Sequence, residues 1–372
     1  MPSRKQRFWK WLKTVLKCLF AVAVLFFIAR QFQRDFVAAN RPSLSVRSIA
    51  YGWLILGGVL YLLGLGFSLL FWYRLLLSLG QRPEIPAAIR AYYAGHMGKY
   101  LPGKAWALML RATLIRSSAV RLGVAVSTSF YEVLTTMAGG TLLALILALT
   151  VLPRSEQSMP AGTLRSLLSG QPMKADYINQ TVLVTLASIL LAVVGFPLLP
   201  PVFNRLVKHL SLPFHAGPSL TERFGWRNLT EGLLWTAFGW LILGASLWAV
   251  ARAASPQVIS FRADLWWRFS VYLAIAYVAG FVIFLVPSGL GIREFFLSVF
   301  LAQELALQSD LAAAELRWLA AWIVVLLRIV WTTAEVIIVS IVWWLPSPTT
   351  EDQTALVVAA QEPQLDRAAE PG

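Results

Sequence analysis

Apolar runs of roughly 20 residues recur along this chain, and they decide its fold class. A helix needs about 20 mostly apolar residues to cross the ~30 Å hydrocarbon core of a bilayer. Water is absent there, so the backbone must bond to itself and the runs fold as helices. They occupy approximately Leu12–Ala29, Ile49–Trp72, Leu122–Leu152, Thr181–Pro200, Leu229–Ala251, Phe269–Val286 and Leu316–Leu345. The last is longer than the core is thick, so it is expected to tilt or break. A further piece, Phe295–Leu307, is too short to cross comfortably. The composition agrees, with 58% of the 372 residues hydrophobic and only 13% charged. The expectation is an all-α, polytopic membrane protein of about seven or eight transmembrane helices, with two broken or re-entrant segments.

Charge sets the orientation. The chain holds 32 Lys+Arg against 18 Asp+Glu, a formal net charge of +14. In a membrane protein such an excess orients loops and meets anionic lipid. No nucleic-acid module is recognisable, so no nucleic-acid partner is expected. With the N-terminus cytoplasmic, the inside loops 1–17, 73–121, 201–228 and 287–316 carry 19 Lys/Arg by count. The outside loops 30–48, 151–180, 252–268 and the tail carry 11. Basic loops stay inside, which favours this orientation.

Residues 1–17 interleave Arg4, Lys5, Arg7, Lys10, Lys13 and Lys17 with Phe8, Trp9 and Trp11. They read as a basic cytoplasmic segment at the membrane surface, running into a retained anchor. The alternative is a cleaved signal, but Arg30-Gln31-Phe32 follows where a small-residue cleavage site would stand. One transmembrane domain is expected over 12–345, then a disordered acidic tail, 346–372. The lone cysteine, Cys18, provides no disulfide framework. The histidines His96, His209 and His215 have no metal-ligand spacing, so no metal is expected.

Two polar interruptions carry the chemistry. Ala91–Arg111 (AYYAGHMGKYLPGKAWALMLR) holds His96, Lys99, Lys104 and Arg111 around a Pro102-Gly103 break. Gly and Pro free backbone N–H and C=O groups, which at membrane depth are tolerated only inside protein or beside water. A re-entrant pair of half-helices would place these cations and free N–H groups where a phosphate can sit. An ordinary cytoplasmic loop facing headgroups is the alternative. The second interruption is Phe284–Phe295 (FLVPSGLGIREF), with Pro287, Gly289 and Gly291 as its break and Arg293 and Glu294 after it. Paired breaks of this kind point to a transporter's midplane site. Four spans separate the two, so both start from one membrane face, whereas an inverted repeat would put them on opposite faces.

Charges inside spans cost about 2.5–3.5 kcal/mol each on insertion scales. Glu132 shares one helical face with Thr128 and Thr135, and Arg328, Thr332 and Glu335 repeat that spacing. Two such faces would meet across the bundle as a charged cavity for a polar headgroup. A buried Arg–Glu pair that only fixes helix packing is the alternative.

These blocks resemble the flippase-like family built on the transmembrane region of lysylphosphatidylglycerol synthases. The matching residues are GKYLPGKAW (Gly98–Trp106) with Arg111, then Glu132, then Pro287, Gly289, Leu290, Gly291, Arg293 and Glu294, then Arg328. Together they cover about residues 12–345. The chain departs from the pattern at Trp106-Ala107, where many members carry an acidic residue, at Val133 in place of Arg, and at Ser288 in place of Gly.

The resemblance implies a bacterial or archaeal inner-membrane protein that moves a lipid or lipid-linked sugar between leaflets, without the aminoacyl-transfer domain. On that reading Lys99, Lys104, Arg111 and Arg293 attract phosphate. Glu132, Glu294 and Glu335 tune the cavity or carry protons, and His96 and Arg328 complete the substrate-binding set. Pro102, Gly103, Pro287, Gly289 and Gly291 act as hinges. No GxxxxGK[ST] motif is present, so ATP is not the expected direct energy source, and no cofactor is expected. A transporter is expected ahead of an enzyme, and no residue is assigned as catalytic. Two rivals stand beside this reading. One is a membrane-embedded transferase on a lipid-linked substrate, with Glu132 or Glu294 as general base. The other is a non-transporting partner of envelope-synthesis enzymes.

Overall fold

The computed structural model describes residues 49–100, 106–117, 119–151, 180–210, 224–259, 262–283 and 291–345. The basic segment 1–17, the first expected span Leu12–Ala29 and the tail 346–372 lie outside the described residues, as do Pro102, Gly103, Lys104, Pro287 and Gly289.

Among the described residues the protein is all-helical, with ten α-helices and no strand. They are α1 (Tyr51–Ser78), α2 (Ile85–His96), α3 (Trp106–Ile115), α4 (Leu122–Thr150), α5 (Gln180–Gly195), α6 (Pro200–Leu210), α7 (Trp226–Ala254), α8 (Ala263–Val282), α9 (Ile292–Ala306) and α10 (Ala313–Val342). Six are long and apolar enough to cross a bilayer: α1, α4, α5 with its 3₁₀ extension to Leu198, α7, α8 and α10. Each coincides with an apolar run of the sequence. The protein is therefore a polytopic helical membrane protein.

Helix ends differ from the runs where packing continues beyond the apolar window. α1 extends past Trp72 to Ser78, because Leu75 and Leu76 are buried on its last turns. α10 has 30 residues, about 45 Å at 1.5 Å per residue, longer than the hydrocarbon core. The helices α2, α3, α6 and α9 are too short to cross, with 12, 10, 11 and 15 residues.

Helices flank both polar interruptions among the described residues. α2 starts with Pro86 in its first turn, where a missing N–H costs nothing, and buries Ala87, Ala88, Ala91, Tyr92, Ala94 and Gly95. A 3₁₀ turn, Met97–Tyr100, ends it, and α3 packs back along it. At the second break α8 ends at Val282 and α9 starts after Gly291, whose φ of 89° favours glycine. α8 and α9 pack against each other.

Contacts group the chain into two compact units, each discontinuous in sequence. The first gathers the described residues of Met1–Gly64, Met137–Gly195 and Ala237–Ala334. The second gathers those of Leu65–Thr136, Phe196–Thr236 and Glu335–Gly372. In the first unit, α1 and α7 meet through small residues: a Cβ on Gly64 would lie 2.8 Å from Leu243 Cδ2, and one on Gly57 would lie 2.8 Å from Val250 Cγ2. Ser246 Oγ also donates to the Gly57 carbonyl at 2.7 Å. In the second unit, Tyr131, Phe203 and Phe224 form an aromatic core with ring centroids 4.6 and 4.9 Å apart along the series. Phe203 and Val207 of α6 are buried, while Arg205 and Lys208 face outward, the pattern of a helix lying along a membrane surface.

Candidate functional site

The second unit holds Arg111 and Glu132, 2.6 Å apart between Nη1 and Oε2. Both side chains are 3% exposed, so the pair is desolvated. Tyr92, Thr136 and Trp72 support it. Tyr92 Oη donates to Glu132 Oε1 at 3.1 Å, and Thr136 Oγ1 donates to the same oxygen at 3.1 Å. The Arg111 guanidinium lies 4.1 Å from the Tyr92 ring centroid and 5.4 Å from that of Trp72. Trp72 is held in turn by its Nε1–H to Thr128 Oγ1 at 3.2 Å. Gly95 makes this geometry possible. A Cβ there would lie 2.7 Å from both Cα and Cβ of Arg111, so α2 and α3 can approach only because that atom is missing. Arg111 Nε has no acceptor among the described residues.

A second group in this unit centres on Glu335 of α10, whose side chain is 3% exposed. Lys99 Nζ pairs with Oε1, and Tyr100 Oη donates to Oε2 at 2.7 Å. Both come from the 3₁₀ turn after α2. His96 Nε2 stands 3.7 Å from Oε1, too far for a hydrogen bond. Burial, and then the Lys99 ammonium, push the His96 pKa down to about 3 against the pull of Glu335. His96 is therefore neutral at pH 7, and its approach to Glu335 is not an ion pair.

The first unit holds a different constellation, at the start of α9. The Glu294 side chain reaches back to the Gly291 N–H at 2.8 Å and caps the helix. Its Oε1 also accepts from Arg293 Nη2 at 2.6 Å and pairs with Arg328 of α10. One carboxylate thus faces two guanidiniums, leaving one net positive charge. Burial pushes the Glu294 carboxyl up. Arg293 and Arg328 outweigh that and hold its pKa below the usual value of 4.5, so it is ionised at neutral pH. The Arg293 guanidinium lies 4.3 Å from the Tyr277 ring centroid. Tyr277 rests against Trp331, which stacks on Tyr61 at 4.2 Å and donates its Nε1–H to Ser246 Oγ at 2.9 Å. A Cβ on Gly280 would lie 3.1 Å from Arg293 Cβ, so α8 gives the arginine room.

Arg328 and Glu335 share a helical face in sequence but go to different partners. Arg328 takes Glu294 and Glu335 takes Lys99, while the partner of Glu132 is Arg111. Two features also escaped sequence reasoning, aromatic braces and a polar cluster. Tyr92 and Trp72 brace Arg111 in the second unit and Tyr277 braces Arg293 in the first, yet an aromatic in a helix has no local mark of such a role. The other is built on Glu304, buried in the first unit, which accepts from Tyr272 Oη at 2.7 Å and from Gln308 Nε2 at 3.1 Å. Arg268 Nη1 stands 3.4 Å from both of its oxygens. A signal existed: Glu304 is a carboxylate inside an apolar run, the same anomaly that singled out Glu132.

Among the described residues no group of three or more His, Cys, Asp or Glu is arranged to hold a metal ion. The fold and these clusters define a multi-pass integral membrane protein whose charged side chains pair in apolar surroundings. Neither the models of known protein families nor characterised proteins match this chain.

Proposed function

We propose that the protein moves a phosphate-bearing lipid, or a lipid-linked sugar, between the leaflets of a bacterial or archaeal plasma membrane. It would serve cell-envelope biogenesis beside envelope-synthesis enzymes, with its N-terminus cytoplasmic. The observation that carries this reading is the Glu294 cluster. A carboxylate shared by two arginines leaves a positive charge unneutralised, and Arg328 keeps 37% of its side chain exposed. Guanidiniums match phosphate geometry in bidentate fashion. Gly291, with its φ of 89°, supplies a point about which the cluster can move. The GKYLPGKAW and PSGLGIRE blocks support the same reading through their resemblance to the flippase-like region of lysylphosphatidylglycerol synthases. An ion gradient, or downhill exchange, supplies the energy.

The test is a leaflet assay. Purified protein is reconstituted in vesicles with a fluorescent phospholipid and, separately, with a polyprenyl-phosphate sugar, and the outer-leaflet signal is bleached over time. Exchange faster than in empty vesicles, lost on Arg293→Ala and on Arg328→Ala, is expected. The absence of exchange for both lipids, with and without an imposed proton gradient, would remove the translocase reading. The transferase or the non-transporting partner would then stand in its place.

A further inference from the structure

Within the second unit, a cleft of about 390 Å³ is lined by Arg74, Leu77, Ser78, Arg227, Asn228 and Glu231. It lies where the last turns of α1 meet the first turns of α7. Both helices are membrane spans, and both ends belong to the loops that carry the excess of Lys and Arg. The cleft therefore sits at headgroup depth on the basic side.

Its charge is unbalanced. Arg74 pairs with Glu231, whereas no carboxylate among the described residues pairs with Arg227. Two guanidiniums face one carboxylate, and Asn228, 9% exposed, adds a buried amide to the wall. Leu77 in the lining is 43% exposed, and Trp226 beside Arg227 is 60% exposed, as an interfacial tryptophan would be. Apolar surface next to the unpaired Arg227 guanidinium suits a ligand with an anionic head and an apolar body. A free anion would gain nothing from Leu77.

We propose that this cleft binds the phosphate of an anionic phospholipid from the leaflet facing the basic loops. The site is separate from the Arg111, Glu335 and Glu294 clusters, and it rests only on the protein being a membrane protein. A lipid held there would anchor the ends of α1 and α7 at the headgroup layer.

The experiment titrates the purified full-length protein in detergent with phosphatidylglycerol and with phosphatidylcholine and counts bound lipid by native mass spectrometry. Phosphatidylglycerol should bind more tightly, and Arg227→Ala should weaken it about fivefold, the usual effect of one basic residue near anionic lipid. Arg116→Ala, outside the cleft, should match the wild type. Glu231→Gln removes the carboxylate that occupies Arg74 and should tighten binding. A purely structural Arg74–Glu231 pair would give no gain. Unchanged affinity in Arg227→Ala, equal binding of both lipids, or no gain in Glu231→Gln overturns the proposal. Complete displacement of the lipid by millimolar inorganic phosphate overturns the choice of a lipid ligand.

Discussion

Arg111 and Glu132 each leave 3% of their side chain exposed, whereas Glu294, Arg293 and Arg328 leave 16%, 22% and 37%. The first is a closed pair: one cation, one anion, with the remaining carboxylate positions taken by Tyr92 and Thr136. The second is open, with two cations for one anion and part of each side chain exposed. In apolar surroundings a closed pair is a structural joint, because neither charge can find another partner at acceptable cost. An open cluster can exchange partners, because its excess charge is already looking for an anion. Function is therefore expected at Glu294 and its arginines, and stability at Arg111 and Glu132.

The sharpest way to break that contrast is to remove one member of the closed pair. Arg111→Ala or Glu132→Ala leaves a lone buried charge and should cost about 3–5 kcal/mol. Thermal unfolding in detergent would read it as a large fall in midpoint. Arg111→Met combined with Glu132→Leu removes both charges and should recover most of the loss. If the single variants unfold like the wild type, the pair is not a joint.

Gly95→Leu comes next. It forces a side chain into the space of Arg111 and should cost about 1–3 kcal/mol, the range for overpacking. Expression and thermal midpoint would both drop, while Gly225→Ala, with nothing within 4 Å of its Cβ, serves as a silent control.

Glu294→Gln should behave differently from Glu132→Ala. The cluster is partly exposed, and the single amide oxygen can still accept from one of the donors that Glu294 now serves, so stability should change by only about 1 kcal/mol. Exchange of a phosphate-bearing lipid should change more than stability does. A midpoint loss as large as that of Glu132→Ala would erase the distinction between the two regions.

The smallest effect concerns pH. His96 has a folded-state pKa near 3, below its ordinary 6.5. The unfolded chain therefore binds an extra proton between those values, so stability is full above pH 6.5 and declines as pH falls toward 3. Glu294, with its pKa lowered, adds a loss below about pH 4.5. His96→Gln should flatten the change in midpoint between pH 7 and 5 and leave the lower one. An unaltered slope would mean that His96 is solvated in the folded protein.

Much of the fold was legible because hydrophobic burial acts on runs of neighbouring residues. Leu122–Leu152 was expected and Leu122–Thr150 is found, and each of the four spans after it overlaps its expected run with ends displaced by one to five residues. The start of α9 was legible for the same local reason, since Gly291 acts on its own turn, whereas Pro102, Gly103, Pro287 and Gly289 lie outside the described residues. Glu132, Arg328 and Glu335 stood out as charges in apolar runs, and Glu304 could have stood out by the same rule.

Pairing was decided only by the tertiary structure. Glu132 takes Arg111, 21 positions away, and Glu294 takes Arg328, 34 positions away. The spacing of Arg328, Thr332 and Glu335 suggested one polar face that would meet the Glu132 face, yet its two charges pair with Glu294 and Lys99. A charge in a low-dielectric interior binds whichever counter-charge the packing brings within about 4 Å. That distance is set by close helix contacts such as Gly95 against Arg111 and Gly280 against Arg293. Local periodicity determines which residues lie on a helix face. It carries no information about which other helix that face will meet.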